Sequence, residues 1–470
     1  MAGSITRYLV WCTFLASLTQ CSSEDTKVEY SAKASISTLK LVQMVFRHGD
    51  RSPITIFPND ENKEDKWPRG LGQLSDEGME QAHEMGTFLR NRYDGFIGKD
   101  YNLKELYVRS SDVDRSVLTA QNMLAGLYPQ LPRVASSGQQ WIPTHVPVHT
   151  VPKENDYMVH LGSNCPRYQE LSDAHYKAKD SQNRRAALQD LVDLAWNNSG
   201  YQESSKMDKW QAAGKVRDTL VCEGQHNLTQ ASWVTDDWLE QMRTKYYDID
   251  YSLKFGPVDI AKLRGGVLLQ EMVKNMEKVK NNKEKRKMFV YSAHDTTVAA
   301  LLVALRMFNK VAVPYTSNVI VEMHTSDTNN YTVQVFFRNS SQDLYQLAIP
   351  DCGNDCPCTK FQALTANVRS TGDIESDCKS FSIGGIKVPL LFGLDRAMTI
   401  IILSVSVGVL ILITLICVIR CVRDCCRKRR LRNRRKTRNL SSIMPETVKL
   451  VSSGVSDSDE EFSIRTPTGA

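Results

Sequence analysis

The chain has 470 residues, 41% of them hydrophobic, and a formal net charge of +6. Its length leaves room for more than one compact unit. The positive charge belongs to the last part of the chain, because residues 420–470 carry 13 basic and 6 acidic side chains while the residues before them have a net charge of −1. The basic balance therefore gives no reason to expect nucleic acid as a partner.

Residues 1–23 have the pattern of a secretory signal peptide. Arg7 supplies a positive charge, an apolar stretch follows at residues 8–18, and small residues come next. The apolar stretch is too short to cross a bilayer. We therefore expect the rest of the chain to begin on the lumenal or extracellular side of a membrane.

Residues 41–53, LVQMVFRHGDRSP, are the most informative stretch of the chain. The apolar run predicts a buried strand of an α/β sheet that is covered on both faces. Arg47 and His48 follow at its carboxyl end, where open α/β sheets bind ligands. A glycine and a proline then indicate a tight turn that folds Arg51 back beside Arg47. Two guanidinium groups converging with an imidazole predict a phosphate site.

Two predicted helices follow this turn. From residue 73 the apolar spacing becomes helical, with Ser75 as the N-cap. A short apolar segment at residues 103–108 precedes a second helix, which stops at Pro129 and has Arg115 in its first turn. Arg115 taken alone would be a helix-surface arginine.

Residues 161–275 differ in composition from the segments on either side of them. They contain charged helical segments, most of the tryptophans and few β-branched runs. This composition predicts a mainly helical cap inserted into the α/β domain. Residues 267–287 then predict a long amphipathic helix whose lysines form a solvated face.

Residues 288–293 predict another buried strand, which delivers His294 and Asp295 to the amino terminus of an apolar helix. Anions are favoured at such a position. Taken alone, His294 would be a core histidine and Asp295 a helix N-cap. Residues 319–323 and 331–337 predict two further strands.

The pattern R-H-G-x-R-x-P at residues 47–53 resembles the signature of the histidine acid phosphatases. Three more segments resemble the family in family order: WPRGLGQLSDEGMEQA at 67–82, VRSSDVDRS at 108–116 and VYSAHDTT at 290–297. The resemblance covers about residues 38–380 and is greatest to the membrane-anchored lysosomal and prostatic-type animal enzymes. It implies a homodimer with a phosphoglycerate-mutase-like α/β core, formed by residues 38–160 and 276–380 around the inserted cap.

The resemblance also implies a role for each candidate site residue. Phosphomonoester hydrolysis needs neutralisation of charge on the phosphoryl oxygens, an in-line nucleophile and a proton for the leaving group. His48 is the expected nucleophile, which forms a phosphohistidine, and Asp295 is the expected proton donor. The expected phosphate-binding residues are Arg47, Arg51, Arg115 and His294. No metal or cofactor is required.

The predicted chemistry is that of an acid phosphatase. A modest upward shift of the Asp295 pKa by burial would favour an acidic optimum. The pair His294-Asp295 favours a broad phosphomonoesterase over a phytase, because phytase-like members often have H-A-E. The alternative function is a non-catalytic receptor or adhesion ectodomain on the same fold. Four histidines without a comparable sequence context are expected to be structural: His83, His145, His149 and His160.

Six cysteines between the two hydrophobic segments suggest disulfides in an exported domain. They are Cys165, Cys222, Cys352, Cys356, Cys358 and Cys378. The family pattern implies the bonds Cys165–Cys378 and Cys352–Cys356. Asn318 stands where the usual partner of Cys222 is expected, so Cys222 either pairs with Cys358 or both are free. A metal site at Cys356 and Cys358 lacks a second ligand pair at zinc-site spacing.

Four sequons in the same region fit an oxidising lumen and predict N-glycosylation. They are at Asn197, Asn227, Asn330 and Asn339.

Residues 397–419 contain 23 residues without a charge, enough for one transmembrane helix. The following residues 420–438 hold 11 Lys or Arg against one acidic residue, which predicts a cytosolic tail at 420–470 and a single-pass type I protein. Four cysteines flank the inner membrane boundary and are either palmitoylation sites or free thiols: Cys417, Cys421, Cys425 and Cys426.

The tail leaves two locations open. It has no tyrosine, so a tyrosine-based lysosomal signal is missing, and ETVKLV at 446–451 is only an imperfect dileucine-like signal. The lysosomal membrane and the plasma membrane are therefore both candidate locations. Ser456 and Ser458 lie in an acidic context that is typical of phosphorylation sites.

Overall fold

The computed structural model describes residues 34–129, 133–134, 137–138, 140–141, 146–161, 164–203, 207–326, 330–339, 343–380, 382–383, 386–387 and 396–441. The expected signal peptide, His145 and the end of the tail from residue 442 lie outside the described residues. The chain forms two compact units, Met1–Phe381 and Ser382–Ala470, and each is described by itself.

Among its described residues the first unit contains a main sheet, a two-stranded sheet in which β3 pairs with β4, and thirteen α-helices. The strands are β1 Leu39–Arg47, β2 Leu106–Ser110, β3 Arg133–Val134, β4 Gln140–Trp141, β5 Met288–Ala293, β6 Asn318–Thr325, β7 Tyr331–Arg338, β8 Leu344–Leu347 and β9 Cys356–Pro357. The helices are α1 Asp76–Arg92, α2 Asp114–Leu127, α3 Pro166–Lys177, α4 Lys179–Ala186, α5 Gln189–Ser199, α6 Lys209–Gln225, α7 Asp236–Gln241, α8 Tyr247–Phe255, α9 Val258–Leu263, α10 Gly265–Lys280, α11 Asp295–Ala304, α12 Cys358–Leu364 and α13 Ile374–Asp377.

The main sheet has the strand order β2-β5-β1-β6-β7-β8, and β9 also pairs with β7. β1 is parallel to β5 and antiparallel to β6, while β2 is parallel to β5. Because β1, β2 and β5 run in the same direction, their carboxyl ends meet at one edge of the sheet. Arg47 is in register with Ala293, so the residues that follow these two strands lie side by side.

β1 is buried at every position except Lys40. On one face Leu41 and Val45 belong to a hydrophobic cluster with residues of α10 and α11. On the other face Met44 and Phe46 pack in a second cluster with residues of α1 and α2. Helices on both faces explain why the strand has a nearly continuous apolar sequence. The predicted α/β class is confirmed.

The segment from α3 to α9 is helical and contains no strand among its described residues. Its own aromatic cluster includes Trp210, Trp238 and Tyr246. Phe57, which follows the turn after β1, belongs to the same cluster, so this segment packs directly onto the loop beyond Arg51. The helical composition agrees with the expected insertion, while the boundaries 161 and 275 stay predictions.

Some predicted element boundaries agree with the structure and others differ from it by a few residues. Ser75 is the N-cap of α1, and its hydroxyl accepts a hydrogen bond from the Gly78 N–H at 2.9 Å. β2 begins three residues later than the expected segment, and α10 ends at Lys280, seven residues before the expected end. The strand β5 and the position of Arg115 in the first turn of α2 are as predicted.

Two disulfides are present, Cys165–Cys378 and Cys352–Cys356, as the family pattern implied. Cys222 and Cys358 are buried free thiols, so the expected candidate bond between them is wrong. Their environments differ: Cys222 lies 3.6 Å from the Tyr315 hydroxyl, whereas Cys358 begins α12 in the core cluster of the sheet.

The sequons lie at the surface. The side chains of Asn197, Asn227 and Asn330 are exposed, and Asn339 is half-buried. Their positions are compatible with glycosylation.

The second unit contains the short paired strands β10 Ser382–Ile383 and β11 Ile386–Lys387 and the long helix α14 Arg396–Ser441. Within α14, the segment Ser404–Arg432 is long and apolar enough to cross a membrane. This segment overlaps the expected transmembrane span at residues 397–419.

Candidate active site

His48 follows β1 and is 2% exposed. Its Nδ1 lies 2.9 Å from the Gly49 carbonyl oxygen. Because a carbonyl oxygen only accepts, Nδ1 carries the proton and Nε2 keeps a free lone pair. Burial and the nearby charges of Arg115 and Arg47 hold the pKa of His48 well below 6.5. The site therefore favours a neutral imidazole with one nucleophilic nitrogen.

Arg47 is the last residue of β1 and is 9% exposed. Its Nη1 donates to the Val313 carbonyl oxygen at 2.6 Å, and its guanidinium carbon lies 4.0 Å from the centre of the Tyr315 ring. The aromatic face and the carbonyl fix the plane of the guanidinium group.

Arg51 is folded back by the turn after His48, as predicted. Its Nη2 and Nη1 donate to the two carboxylate oxygens of Asp218 at 2.8 and 3.2 Å. A bidentate pair of this kind fixes both the position and the orientation of the guanidinium plane. Asp218 comes from α6, in the helical segment.

Arg115 approaches the same place from the first turn of α2. Its Nη1 lies 3.4 Å from the Gly72 carbonyl oxygen, and its Nη2 lies 3.5 Å from Nδ1 of His294. Burial and the charge of Arg51 lower the pKa of Arg115 to about 10. Arg115 is still protonated at neutral and acidic pH.

The Nε atoms of Arg47, Arg51 and Arg115 are all buried and have no hydrogen-bond partner among the described residues. Leaving three buried cationic donors unpaired is costly. A bound anion would supply acceptors for donors of this kind.

His294 follows β5 and faces His48, with their ring centres 5.5 Å apart. Its Nε2 is 2.9 Å from the Ser111 hydroxyl. Burial and the charge of Arg115 lower the pKa of His294 to about 3, so its ring is neutral.

Asp295 opens α11 and accepts a hydrogen bond from the Thr296 N–H at 2.8 Å. Burial raises the pKa of Asp295, but the charges of Arg47 and Arg51 and this hydrogen bond outweigh burial and lower it to about 2. The expected upward shift of the Asp295 pKa is therefore wrong: the pKa is shifted downward. Two guanidinium groups stabilise the carboxylate more than burial destabilises it.

The structure thus brings the six predicted site residues to one edge of the sheet, at the carboxyl ends of β1 and β5. The neighbours of the site that sequence reasoning missed include Asp218, Tyr315 and His160. The His160 ring centre lies 5.7 Å from that of His294, although His160 was expected to be structural. None of the three stands in a recognisable motif, so no local sequence signal could have found them.

His83 and His149 lie outside this group. His83 is exposed on α1, and the His149 ring stacks on Tyr107 at 5.1 Å between ring centres. Among the described residues no cluster of three or more His, Cys, Asp or Glu side chains could hold a metal ion.

Comparison with known proteins decides the family. The model of the histidine phosphatase superfamily (branch 2) matches residues 38–338, and every predicted site residue lies within the match. The chain belongs to this family. As a member of the histidine phosphatases it is a phosphomonoesterase, and its curated relatives are acid phosphatases.

Two relatives illustrate the similarity of this histidine phosphatase to known enzymes. The lysosomal acid phosphatase of Xenopus laevis is 37% identical over 351 residues, which cover 73% of this chain and 79% of the relative. The prostatic acid phosphatase of Bos taurus is 37% identical over 338 residues, which cover 71% of this chain and 86% of the relative.

A solved structure supports the fold of this histidine phosphatase. Hafnia alvei phytase in complex with tartrate matches with a TM-score of 0.55 at 18% identity, covering 73% of this chain and 98% of the phytase chain. At this identity the likeness concerns the fold alone.

Proposed function

We propose that this acid phosphatase hydrolyses phosphomonoesters through a phosphohistidine at His48, with Asp295 as the proton donor. The observation that carries the proposal is the free Nε2 of a neutral His48 beside three arginines whose buried Nε atoms lack partners. This arrangement combines a nucleophile with a cluster of anion-binding side chains. His294, whose ring centre lies 5.5 Å from that of His48, is a further donor to the phosphoryl oxygens in this proposal.

The reaction proceeds in two displacements. Nε2 of His48 attacks the phosphorus, the P–N bond forms and the ester P–O bond breaks, while Asp295 gives its proton to the leaving oxygen. Water then attacks the phosphohistidine, Asp295 takes a proton from the water, and the P–N bond breaks. Inorganic phosphate leaves and His48 returns to its neutral form.

The low pKa of Asp295 requires a source for its proton. A phosphomonoester has a second pKa of about 6, so at about pH 5 it arrives mainly as a monoanion that carries a proton. Its charge also offsets the charges of Arg47 and Arg51, which make the largest contributions that lower the Asp295 pKa. With these charges offset, burial dominates and favours the protonated carboxyl.

We propose a broad substrate range rather than dedicated phytate hydrolysis. The support is the pair His294-Asp295, which has the acid-phosphatase form and not H-A-E. The likeness to phytase structures concerns the fold and does not argue for phytate as a substrate.

We further propose a single-pass type I membrane protein with its catalytic part in the lumen or outside the cell. The candidate span within α14, the basic residues that follow it and the amino-terminal signal pattern support this topology. Lysosomal relatives favour the lysosomal membrane, while the missing tyrosine signal favours the plasma membrane. A homodimer, the cap boundaries 161–275 and glycosylation at the exposed sequons belong to the same proposal.

The decisive experiment is a pH profile of aryl-phosphate hydrolysis by the full chain in detergent. We expect activity near pH 5, loss of all turnover in His48→Ala and slower turnover in Asp295→Asn. An alkaline quench during turnover should recover phosphate on His48 of the wild type. A wild-type protein that is folded and disulfide-bonded but has no turnover would overturn the proposed catalytic function. It would favour the alternative of a non-catalytic ectodomain.

A further inference from the structure

One edge of the Arg51 guanidinium group is fully occupied by hydrogen bonds to other groups of the protein. Nη2 and Nη1 donate to Asp218 at 2.8 and 3.2 Å, and Nη1 donates its second hydrogen to the Ser52 carbonyl oxygen at 2.9 Å. A guanidinium group has five N–H donors. The two that remain are the Nε–H and the second hydrogen of Nη2, and these two point in the same direction from the other edge. The free edge of Arg51 has the forked geometry that binds two phosphoryl oxygens.

Asp218 is held in place independently of Arg51. Its Oδ2 accepts a second hydrogen bond from the Ile54 N–H at 3.2 Å, in the turn beyond Arg51. Burial raises the pKa of Asp218, but the charge and hydrogen bonds of Arg51 outweigh burial and keep this pKa low. The carboxylate is therefore charged over the working range of the enzyme and bridges the side chain of Arg51 to the backbone of the turn.

Helix α6 touches the same turn at further points on one face. The Thr219 hydroxyl donates to the Thr55 carbonyl oxygen at 2.8 Å, and Cys222 Sγ lies 3.5 Å from Nη1 of Arg51. Residues 218 and 222 are one helical turn apart and thus lie on the same side of α6. The helix gives Asp218 a rigid base against the turn.

We propose that Asp218 is a positioning residue for phosphoryl transfer, which occupies one edge of Arg51 and thereby presents the Nε and Nη2 edge to the phosphate. The proposal rests on the proposed function, since it concerns how one phosphate-binding residue is oriented. Arginine has many rotamers, and fixing it before the substrate binds removes that entropy cost from the reaction. Asp218 itself does not touch the substrate.

The test is a double-mutant cycle on the full chain with Asp218→Asn, Arg51→Lys and both together. Asp218→Asn keeps an oxygen for the Ile54 N–H but places an amide N–H₂ against Arg51, so the fork loses its ionic partner. We expect the inhibition constant for inorganic phosphate to rise and kcat/KM for an aryl phosphate to fall, each about tenfold or more. In the Arg51→Lys background, Asp218→Asn should have little further effect, because lysine has no fork to orient.

A conservative variant and a matched control separate positioning from folding. Asp218→Glu keeps the charge and should recover part of the phosphate affinity that Asp218→Asn loses. Asp248→Asn removes another Arg–Asp pair of the helical segment, a single and more exposed contact in which Arg184 lies 3.2 Å from Asp248, and it should leave phosphate inhibition unchanged. Melting curves of all variants show whether any loss reflects unfolding.

Three results would overturn the positioning role. The first is an inhibition constant for phosphate in Asp218→Asn that equals the wild-type constant. The second is an equal loss of phosphate affinity from Asp218→Asn in the wild-type and the Arg51→Lys protein. The third is a loss of phosphate affinity in Asp218→Glu as large as in Asp218→Asn. Each would leave the proposed function intact, because that is decided separately by wild-type turnover and by His48→Ala.

Discussion

Gly49 and Gly78 lie in direct backbone contact, between the loop that carries His48 and the first turn of α1. A Cβ built on Gly49 would be 2.3 Å from the Gly78 carbonyl oxygen, and a Cβ built on Gly78 would be 2.2 Å from the Asp50 carbonyl oxygen. Real atoms do not approach so closely, so no side chain fits at either position. The position of His48 is thus set by contact between two backbones.

Gly78→Ala should move the catalytic loop away from α1. We expect a loss of stability of about 1–3 kcal/mol from overpacking and a fall in kcat/KM of more than about tenfold, because misplaced reacting groups are penalised strongly. Denaturant unfolding and aryl-phosphate kinetics measure the two effects. Gly224→Ala in α6 is the matched control, because a Cβ built on Gly224 would meet only the end of the Gln230 side chain, at 3.4 Å. Wild-type kinetics in Gly78→Ala would contradict the tight contact.

Asp295→Asn should discriminate between substrates by their leaving groups. An alkyl alkoxide needs a proton as the ester bond breaks, whereas p-nitrophenolate leaves without one. We therefore expect kcat/KM, which reports the phosphorylation step alone, to fall at least about tenfold more for glycerol 2-phosphate than for p-nitrophenyl phosphate. His294→Asn is a useful comparison, because loss of a phosphate donor should affect both substrates alike. An equal effect of Asp295→Asn on both substrates would argue that the proton comes from elsewhere.

The carboxyl of Glu223 should make the folded protein more stable at acidic pH than at alkaline pH. Burial raises the pKa of this side chain to about 8, above the usual 4.5, and outweighs the hydrogen bond from Asn62, while Asp60 raises the pKa further. The folded protein therefore keeps a proton that the unfolded chain releases. The stabilisation is complete below about pH 4.5 and is lost as the pH rises through about 8.

Glu223→Gln should flatten this dependence, since a neutral amide does not titrate. The measurement is the melting temperature between about pH 4.5 and 8 for the wild type and the variant. Glu240→Gln, an exposed residue paired with Arg243 on the surface, serves as the control and should follow the wild type. Parallel curves for Glu223→Gln and the wild type would show that Glu223 is ionised throughout.

Cys222 and Cys358 should resist thiol reagents in the native protein. Both are buried, and burial raises the pKa of Cys222 to about 11, so little thiolate is present. Peptide mass spectrometry after alkylation should find both unmodified until denaturant is added. A peptide joining Cys222 to Cys358 without reductant would contradict the structure.

Loss of the bond Cys165–Cys378 should be more damaging than loss of Cys352–Cys356. The first bond closes a loop with a sequence separation of 213, and the second closes one of 4. In the chain-entropy account, a disulfide that closes a longer loop stabilises the folded state more. The double change Cys165→Ser with Cys378→Ser should therefore lower the free energy of unfolding by about 2–5 kcal/mol. Unfolding of each double variant measures the difference, and equal losses would contradict the expectation.

The sequence identifies the residues at the strand ends but not what surrounds them. The apolar run before Arg47 and the glycine after His48 are local signals, and the parallel pairing of β1 with β5 brings His294 to the same edge. Asp218 belongs to a helix 167 positions away from Arg51 and has no local signature. The pKa of Asp295 depends on the distances to two arginines, which no pattern along the chain contains.

The bond Cys165–Cys378 encloses α6 with Asp218, β5 and the pair His294-Asp295, while Arg47, His48, Arg51 and Arg115 lie outside the enclosed loop. A protease that cuts the chain once between these cysteines would therefore produce two fragments that stay covalently joined. Such a nicked molecule would migrate as one species without reductant and as two with it. In a compartment rich in proteases, the two halves of the site would survive such a cut as one molecule.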